Sequence, residues 1–200
     1  NTIKNCSITL NRINNTTGTT PATDGSRGIN IVNSTSSAQT TILTVTSSDG
    51  SNSGNKFYSN TIQNCNIGIA LIGFAAVSPF TLADTGNDIG GSSAATGNTI
   101  INFGGAPSAV NLSAGIRTLA QYDNNISNNL INSNNGAGVN HPTMLRGILN
   151  GAAVSANVSI TNNTISLKCG ATASSLTAIE NSAGATAAGN TVSINNNTIT

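Results

Sequence analysis

The sequence predicts an all-β solenoid in which short parallel strands stack in successive coils. Three observations support this prediction: a repeated Asn-x-Ile motif, a second Gly-Ile or Ala-Ile motif between its copies, and a composition that favours strands and tight corners. Self-similarity of this kind is typical of repeat folds, because each repeat buries its apolar face against its neighbours.

The two motifs alternate along the chain at a nearly constant interval. After a first step of 49 residues, the Asn-x-Ile isoleucines follow at steps of 38, 31, 34 and 34 residues. Each series should form one buried ladder, with equivalent residues about 4.8 Å apart in parallel coils. The first series is Ile13, in the loosest copy, then Ile62, Ile100, Ile131, Ile165 and Ile199. The second series is Ile29, Ile69, Ile116, Ile148 and Ile179.

A third apolar or small residue lies five positions before each Asn-x-Ile isoleucine. In a straight strand, side chains five residues apart point to opposite faces. A bend at the intervening Asn would turn both inward, which predicts three short strands per coil and about five to six coils. The residues at this position are Ile8, Phe57, Ala95, Ile126, Ile160 and Ile194.

The residue types agree with this geometry. Ile and Val suit half-buried strands, and the Thr beside many of the isoleucines tolerates solvent. Asn and Gly at corners can adopt left-handed backbone conformations, and Asn side chains repeated on successive coils can stack through their amides. A helical solenoid is disfavoured because Gly, Asn, Thr and Ser are poor helix formers. A β-propeller would carry blade motifs that this chain lacks.

The composition excludes several classes of function. Only 6% of residues are charged and the net charge is +1, so the sequence has no basic footprint for nucleic acid. No apolar run approaches the roughly 20 residues of a membrane helix. Cys6, Cys65 and Cys169 are an odd number without CxxC spacing, which predicts free buried thiols, no disulfide and no metal site. No cofactor is expected.

Two corner insertions provide the candidate binding residues. One lies between Val32 and Phe57, and the other, between Gly73 and Asn87, contains Phe74 and Phe80. Both leave the same corner, so we expect them to pack together. The flank that bears the two phenylalanines is a candidate binding surface, with covering of the core as the alternative role.

The carboxylates give little support for catalysis. Only Asp84 and Asp88 are close in sequence, and we place both in a corner insertion as candidate ligand-binding residues. Glycoside hydrolysis needs two carboxyl groups roughly 5 to 9.5 Å apart, and corner capping is the alternative role of this pair.

His141, before Pro142, is expected at the surface. Arg117 is expected to lie too far from Glu180 for an ion pair. No catalytic residue is predicted, and the question of enzyme activity stays open.

One segment carries a family resemblance. Gly86-Asn87-Asp88-Ile89-Gly90-Gly91, followed by Gly97-Asn98-Thr99-Ile100, resembles the repeats of pectate-lyase-like right-handed parallel β-helix proteins, which are secreted by bacteria or displayed on their surface. The resemblance implies a right-handed helix. That superfamily contains lyases, hydrolases, adhesins and phage spikes, so it indicates fold rather than activity. The amino-acid composition, which is rich in Asn and Thr and poor in charged residues, resembles that of long surface proteins of Bacteroidota.

The functional expectation is a stalk or adhesin segment. Neither end carries a capping element, so residues 1–200 are interpreted as a single β-helix segment of a longer array. Its expected location is extracellular, and its expected partners are further coils or domains of the parent chain, surface glycans, or host or neighbouring-cell proteins. The alternatives are a polysaccharide-binding or polysaccharide-degrading β-helix with catalytic coils elsewhere, and binding to ice or another crystal surface by outward threonines.

Overall fold

The protein, seen in a computed structural model, is almost entirely β-structure. The structure describes residues 1–11, 25–34, 43–104, 113–135, 141–185 and 189–200. Within these ranges the helices are two single 3-10 turns, Ser48–Gly50 and Ala94–Thr96, and no helix is long and apolar enough to cross a membrane. The strands are β1 (Thr2–Lys4), β2 (Ser7–Thr9), β3 (Arg27–Val32), β4 (Lys56–Tyr58), β5 (Thr61–Gln63), β6 (Ile67–Ile72), β7 (Asp84–Thr85), β8 (Asp88–Ile89), β9 (Thr99–Ile101), β10 (Ser113–Leu119), β11 (Gln121–Tyr122), β12 (Asn124–Ser127), β13 (Leu130–Asn132), β14 (Leu145–Asn150), β15 (Val158–Thr161), β16 (Thr164–Ser166), β17 (Leu176–Asn181), β18 (Val192–Asn195) and β19 (Thr198–Ile199).

These strands form parallel sheets that stack in register. Sheet A has the order β1-β4-β8-β12-β15-β18, sheet B the order β2-β5-β9-β13-β16-β19, and sheet C the order β3-β6-β10-β14-β17. A short sheet D pairs β7 with β11. Along the chain, strands enter sheets A, B and C in turn. The predicted all-β class and parallel stacking are confirmed, and the arrangement is that of a parallel β-solenoid.

Both predicted isoleucine ladders exist as continuous columns of paired residues. The column in sheet B is Ile62, Ile100, Ile131, Ile165 and Ile199. The column in sheet C is Ile29, Ile69, Ile116, Ile148 and Ile179. The burial prediction is wrong for Ile199, which is 56% exposed because its strand is the edge of sheet B, and Ile179 is only half-buried.

The predicted third column needs two corrections. Ile89, not Ala95, pairs with Phe57 and Ile126 in sheet A, because Ala95 lies in a 3-10 turn inserted at the corner before β9. Ile8 pairs with Ile62 in sheet B, so the place assigned to it belongs to Ile3. The predicted position of Ile13 lies outside the described residues. In the other described coils, the inward residue of sheet A lies five positions before the inward isoleucine of sheet B, as predicted.

An asparagine ladder lines the corner between sheets A and B. It consists of Asn60, Asn98, Asn129, Asn163 and Asn197. From Asn98 onward, each Oδ1 atom accepts two hydrogen bonds from the Asn of the preceding coil; Asn129 Oδ1, for example, accepts from the backbone N of Asn98 at 3.1 Å and from its Nδ2 at 2.9 Å. The predicted stacking of corner amides is confirmed.

The second amide hydrogen of each ladder residue ties the corner to sheet A. Asn129 Nδ2 donates to the carbonyl of Ile89 at 2.9 Å, and Asn163 Nδ2 donates to that of Ile126 at 2.9 Å. Cys6 stands at the equivalent place in the first coil, where its backbone N–H donates to Asn60 Oδ1 at 3.1 Å. The buried amides are therefore satisfied from both sides, as buried polar groups must be to avoid a large cost.

The residue before most ladder positions has a left-handed backbone, as predicted for these corners. Their φ angles lie between 54° and 62°. A single left-handed residue turns the chain sharply, so the inward side chains on both sides of the corner can face the core. The non-glycine residues in this position are Asn5, Ser59, Asn128, Asn162 and Asn196.

Truncating the centre of the sheet B column should destabilise the fold strongly. Ile131 is fully buried between Ile100 and Ile165, so Ile131→Ala is expected to lower the free energy of unfolding by about 2 to 5 kcal/mol through lost burial and a residual cavity. Ile199→Ala, at the exposed end of the same column, should cost about 0.5 kcal/mol or less. Urea denaturation measures both, and equal effects would contradict the column.

Removing one amide from the ladder should also be costly. Asn129→Ala leaves the backbone N and the Nδ2 of Asn98 without their buried acceptor, so we expect a loss of at least about 2 kcal/mol. The matched control is Asn195→Ala, because Asn195 is exposed and, among the described residues, its side chain bonds Ser193 Oγ alone. Comparable losses in the two variants would show that the ladder contributes little.

Candidate binding groove on sheet A

The four candidate residues from the sequence do not come together in one site. Asp84 is buried in sheet D, whereas Asp88 lies on the outer side of sheet A. Phe74 and Phe80 are half-buried and pack against the core. The predicted placement of both aspartates in a loop is wrong, because they begin strands β7 and β8 and pair with residues of later coils.

Asp84 holds the two insertions together. Its Oδ1 accepts from the backbone N of Asn52 at 2.8 Å and from Asn33 Nδ2 at 3.4 Å, and its Oδ2 accepts from Gln121 Nε2 at 3.2 Å. Only 1% of the residue is exposed. The predicted packing of the insertions is confirmed, and this carboxylate is engaged in joining them.

The phenylalanines support the same region. The ring of Phe80 lies 5.5 Å from that of Tyr122, measured between centroids, and Tyr122 donates to the carbonyl of Ala76 at 3.4 Å. Phe74 also packs against the core. Both positions agree with the core-covering alternative.

Asp88 belongs to an outward row of sheet A. Lys56 precedes it in the row, and Asn125, Ser159 and Ser193 follow on successive strands. These neighbours are polar, in contrast to the buried column of Ile89 beside them. Asp88 is the member of this outward row that carries a carboxylate. Its pairing with Asn125 places it on the open surface of sheet A.

Three groups hold the Asp88 carboxylate in place. Tyr58 donates its hydroxyl to Oδ2 at 2.5 Å, while Asn125 Nδ2 and the backbone N of Gly91 donate to Oδ1 at 2.6 and 3.0 Å. A carboxylate has about four acceptor sites, so about one remains open. Gly91 is needed here, because its φ is 69° and an added Cβ would lie 3.1 Å from the Tyr58 ring.

A directed chain of hydrogen bonds extends this cluster across the sheet. Ser127 Oγ donates to Asn125 Oδ1 at 2.6 Å, so the 3.0 Å contact between Ser127 Oγ and Thr161 Oγ1 must have Thr161 as its donor. With the bond from Asn125 to Asp88, every hydroxyl and amide then donates toward the carboxylate. The chain leaves the oxygen of Thr161 as an acceptor at its far end.

The chain borders an open groove. The groove has a volume of about 420 Å³ and crosses β8, β12 and β15 up to the corner with sheet B. A second hollow of about 300 Å³ on the same sheet shares Asn125 and is bordered by Asp123 and Val158. The residues that line the first groove are Asp88, Gly91, Ser92, Asn125, Ser127, Asn128, Thr161 and Asn162.

The electrostatics of the groove centre on Tyr58 and Asp88. Burial, the hydrogen bond to Asp88 and the charge of Asp88 raise the pKa of Tyr58 to about 12. The neutral phenol is therefore favoured, which keeps Tyr58 a hydrogen-bond donor to the carboxylate at neutral pH.

Sheet C carries a partly buried charge cluster that the sequence analysis missed. Glu180 accepts a hydrogen bond from Arg146 Nε, whereas the analysis weighed only Arg117 as its partner. Arg117 is 5% exposed, and burial together with the charge of Arg146 lowers its pKa to about 10. The sequence analysis missed this contact because it is diagonal. Ile148 pairs with Ile179, but Arg146 lies two positions before Ile148 and Glu180 lies one position after Ile179.

The histidine and the thiols also differ from expectation. His141 is fully buried rather than at the surface; its Nε2 lies 2.9 Å from Thr143 Oγ1 and 3.1 Å from the carbonyl of Met144, and burial lowers its pKa. The three cysteines are thiols rather than disulfide partners, and the predicted burial holds for Cys65 but not for Cys169, which is half-buried, or Cys6, which is exposed. In the described part of the chain, no three His, Cys, Asp or Glu side chains form a metal-binding group.

The polar partners of Asp88 escaped sequence analysis because of one register error. Assigning Ala95 instead of Ile89 to the sheet A column hid the pairing of Asp88 with Asn125. The available signal was the pair of polar residues, Asn125 and Ser127, on either side of the apolar Ile126. Comparison with known proteins adds no further signal: no family model, curated protein or solved structure matches this chain.

Stability should fall in alkali as Tyr58 titrates. The folded pKa of about 12 exceeds the ordinary value of 10, so the stability contributed by the neutral phenol is complete below pH 10 and is lost as the pH rises toward 12. Asp88→Asn removes the negative charge and should lower the pKa of Tyr58. Absorbance titration of tyrosinate in a Tyr122→Phe background reports Tyr58 alone, since the chain has two tyrosines. An unchanged titration in Asp88→Asn would contradict this coupling.

Proposed function

We propose that this chain is a section of a right-handed parallel β-helix, with three strands per coil and about five to six coils, of the pectate-lyase-like kind. Its proposed role is that of a stiff stalk or adhesin segment of a secreted or cell-surface bacterial protein. The observation that supports this best is the asparagine ladder, which runs beside the unbroken isoleucine columns.

Stiffness follows from the way the coils are joined. Each coil contacts the next through parallel sheets, and the ladder adds buried, cooperative hydrogen bonds at one corner. A slip of one residue would turn the isoleucines outward and break the ladder, so the register is strongly specified. Such a rod grows by about 4.8 Å per coil, and its outer faces are free to vary.

We propose that this segment is non-catalytic. The hydrogen-bond partners of the described carboxylates support this proposal. Asp84 is buried and its oxygens accept from amides, and both oxygens of Asp88 are engaged. Glu180 contacts Arg146, and Asp123 accepts from Asn157 Nδ2 and Thr85 Oγ1. Glycoside hydrolysis needs two carboxyl groups in one site, one of which acts as the acid. The described carboxylates instead bond to amides, hydroxyls or Arg146.

A second candidate function is polysaccharide binding, with any degradation carried out by coils elsewhere in the parent protein. The groove on sheet A favours it, because an open polar hollow with a fixed carboxylate offers hydrogen-bond partners for sugar hydroxyls. This candidate is compatible with an adhesive segment, in which the solenoid positions the groove.

The chain should release neither reducing ends nor unsaturated products from pectin, alginate or neutral glycans. Small-angle scattering of the same sample should give a rigid particle, about as long as it is wide, because five to six coils span only about 25 to 30 Å along the stacking direction. Turnover that disappears in Asp84→Asn or Asp88→Asn, but persists in the exposed control Asp49→Asn, would replace the structural proposal by an enzymatic one. A flexible particle would contradict the stiff solenoid independently of any activity.

A further inference from the structure

We propose that the outer face of sheet C holds a binding site for a tetrahedral oxyanion, inorganic phosphate or sulfate, beside the guanidinium groups of Arg117 and Arg146. This site goes beyond the structural role proposed above and does not depend on it. The two arginines belong to β10 and β14, which pair in parallel, and they are only 5% and 9% exposed. Buried guanidinium groups are costly unless acceptors surround them.

The register of sheet C brings three charged side chains together. Arg117 and Glu180 each follow an inward isoleucine by one position, so both side chains point away from the core. They belong to one outward row, in which Leu149 pairs with both of them. Arg146 reaches this row from the side, because its Nε donates to the Glu180 carboxylate. The two guanidinium groups therefore lie on either side of Leu149.

Arg146 supplies the observation that points to a ligand. A guanidinium carries five N–H donors, and in the part of the chain that the structure describes the Nε of Arg146 bonds Glu180. Its Nη1 atom is buried and has no hydrogen-bond acceptor among those residues. A buried donor without an acceptor carries the full cost of its lost hydration. An oxygen ligand at Nη1 would remove this cost and stabilise the cluster.

Charge identifies the ligand as an anion. Among the described residues of the cluster, two guanidinium groups stand against the one carboxylate of Glu180, which leaves an excess of one positive charge. Burial and the charge of Arg146 lower the pKa of Arg117 to about 10, so the neighbouring arginine adds to the cost of burying the charged form. A bound anion would offset this repulsion.

The positions of the donors favour a tetrahedral ion over a second carboxylate. Glu180 already supplies a carboxylate, which is bonded to Nε of Arg146, so the Nη1 donors need a further acceptor. Neighbouring strands lie about 4.8 Å apart, and one ion that meets both guanidinium groups must present oxygens on more than one side. Phosphate and sulfate do so, and they pair bidentately with arginine.

A small ion can reach this cluster from the edge of sheet C. Glu180 belongs to β17, which is the edge strand, and its side chain is 41% exposed. The site is therefore open at Glu180 and buried at Arg146. A small anion suits such an approach.

The test measures binding of phosphate and of sulfate to the full chain by calorimetry, with the Tm as a second readout. Sodium chloride at the same ionic strength controls for screening, and acetate controls for the shape of the anion. Arg146→Gln removes the charge together with Nη1, while Arg146→Lys keeps the charge and loses the planar fork. Glu180→Gln removes the neighbouring carboxylate. Lys56→Gln is the matched control, because it removes an exposed cation on sheet A.

One phosphate or sulfate ion should bind per chain and raise the Tm, because a ligand of the native state stabilises it. Arg146→Gln should abolish binding, and Arg146→Lys should weaken it about tenfold or more through loss of the bidentate fork. Lys56→Gln should leave binding unchanged. Glu180→Gln should strengthen binding, because it removes a negative charge beside the anion. If Arg146→Gln does not fold, as judged by circular dichroism, Arg146→Lys and Glu180→Gln decide the question.

Four outcomes would overturn the proposal: phosphate and sulfate act no more strongly than sodium chloride, acetate binds equally well, the Arg146 variants bind the anion as tightly as Lys56→Gln does, or a folded Glu180→Gln binds it more weakly than the parent chain. A rigid particle without anion binding would leave the stalk proposal intact and remove this one.

Discussion

The buried asparagine ladder at the corner between sheets A and B is the interaction on which the rest of the structure depends. An inner amide such as that of Asn129 bonds the preceding coil through its oxygen, and the next coil and sheet A through its nitrogen, so neighbouring coils and neighbouring sheets are fixed by the same side chain. A buried amide without partners would be costly, which makes any other register unfavourable. The isoleucine columns supply the apolar burial, while the ladder specifies their alignment.

The candidate groove is a consequence of this alignment. Because the ladder and the inward column of Ile89, Ile126 and Ile160 fix sheet A, the outward residues between them also stand in rows. Asp88, Asn125 and Thr161 come from strands that are distant in sequence, yet they form one directed hydrogen-bond chain. The scaffold therefore provides a preorganised polar surface without dedicated binding loops.

The molecule relies on amides and hydroxyls where many proteins use ion pairs. Asp84 is held by Asn33, Asn52 and Gln121, and Asp88 by Tyr58 and Asn125, with no described cation bonded to either. Neutral partners make these contacts less sensitive to salt than surface ion pairs are. The low charge content of the chain agrees with this chemistry.

The sequence alone determined the all-β class, both isoleucine columns and the stacking of corner asparagines, because those features depend on local periodicity. It did not place Ile89, which replaces Ala95, since an inserted 3-10 turn lengthens that corner and breaks the local offset. Only the tertiary structure decided that Asp88 meets Asn125, that Arg146 meets Glu180 and that His141 is buried. The contacts of Asp88 and Arg146 join different coils, and their geometry depends on corner lengths that no local pattern encodes.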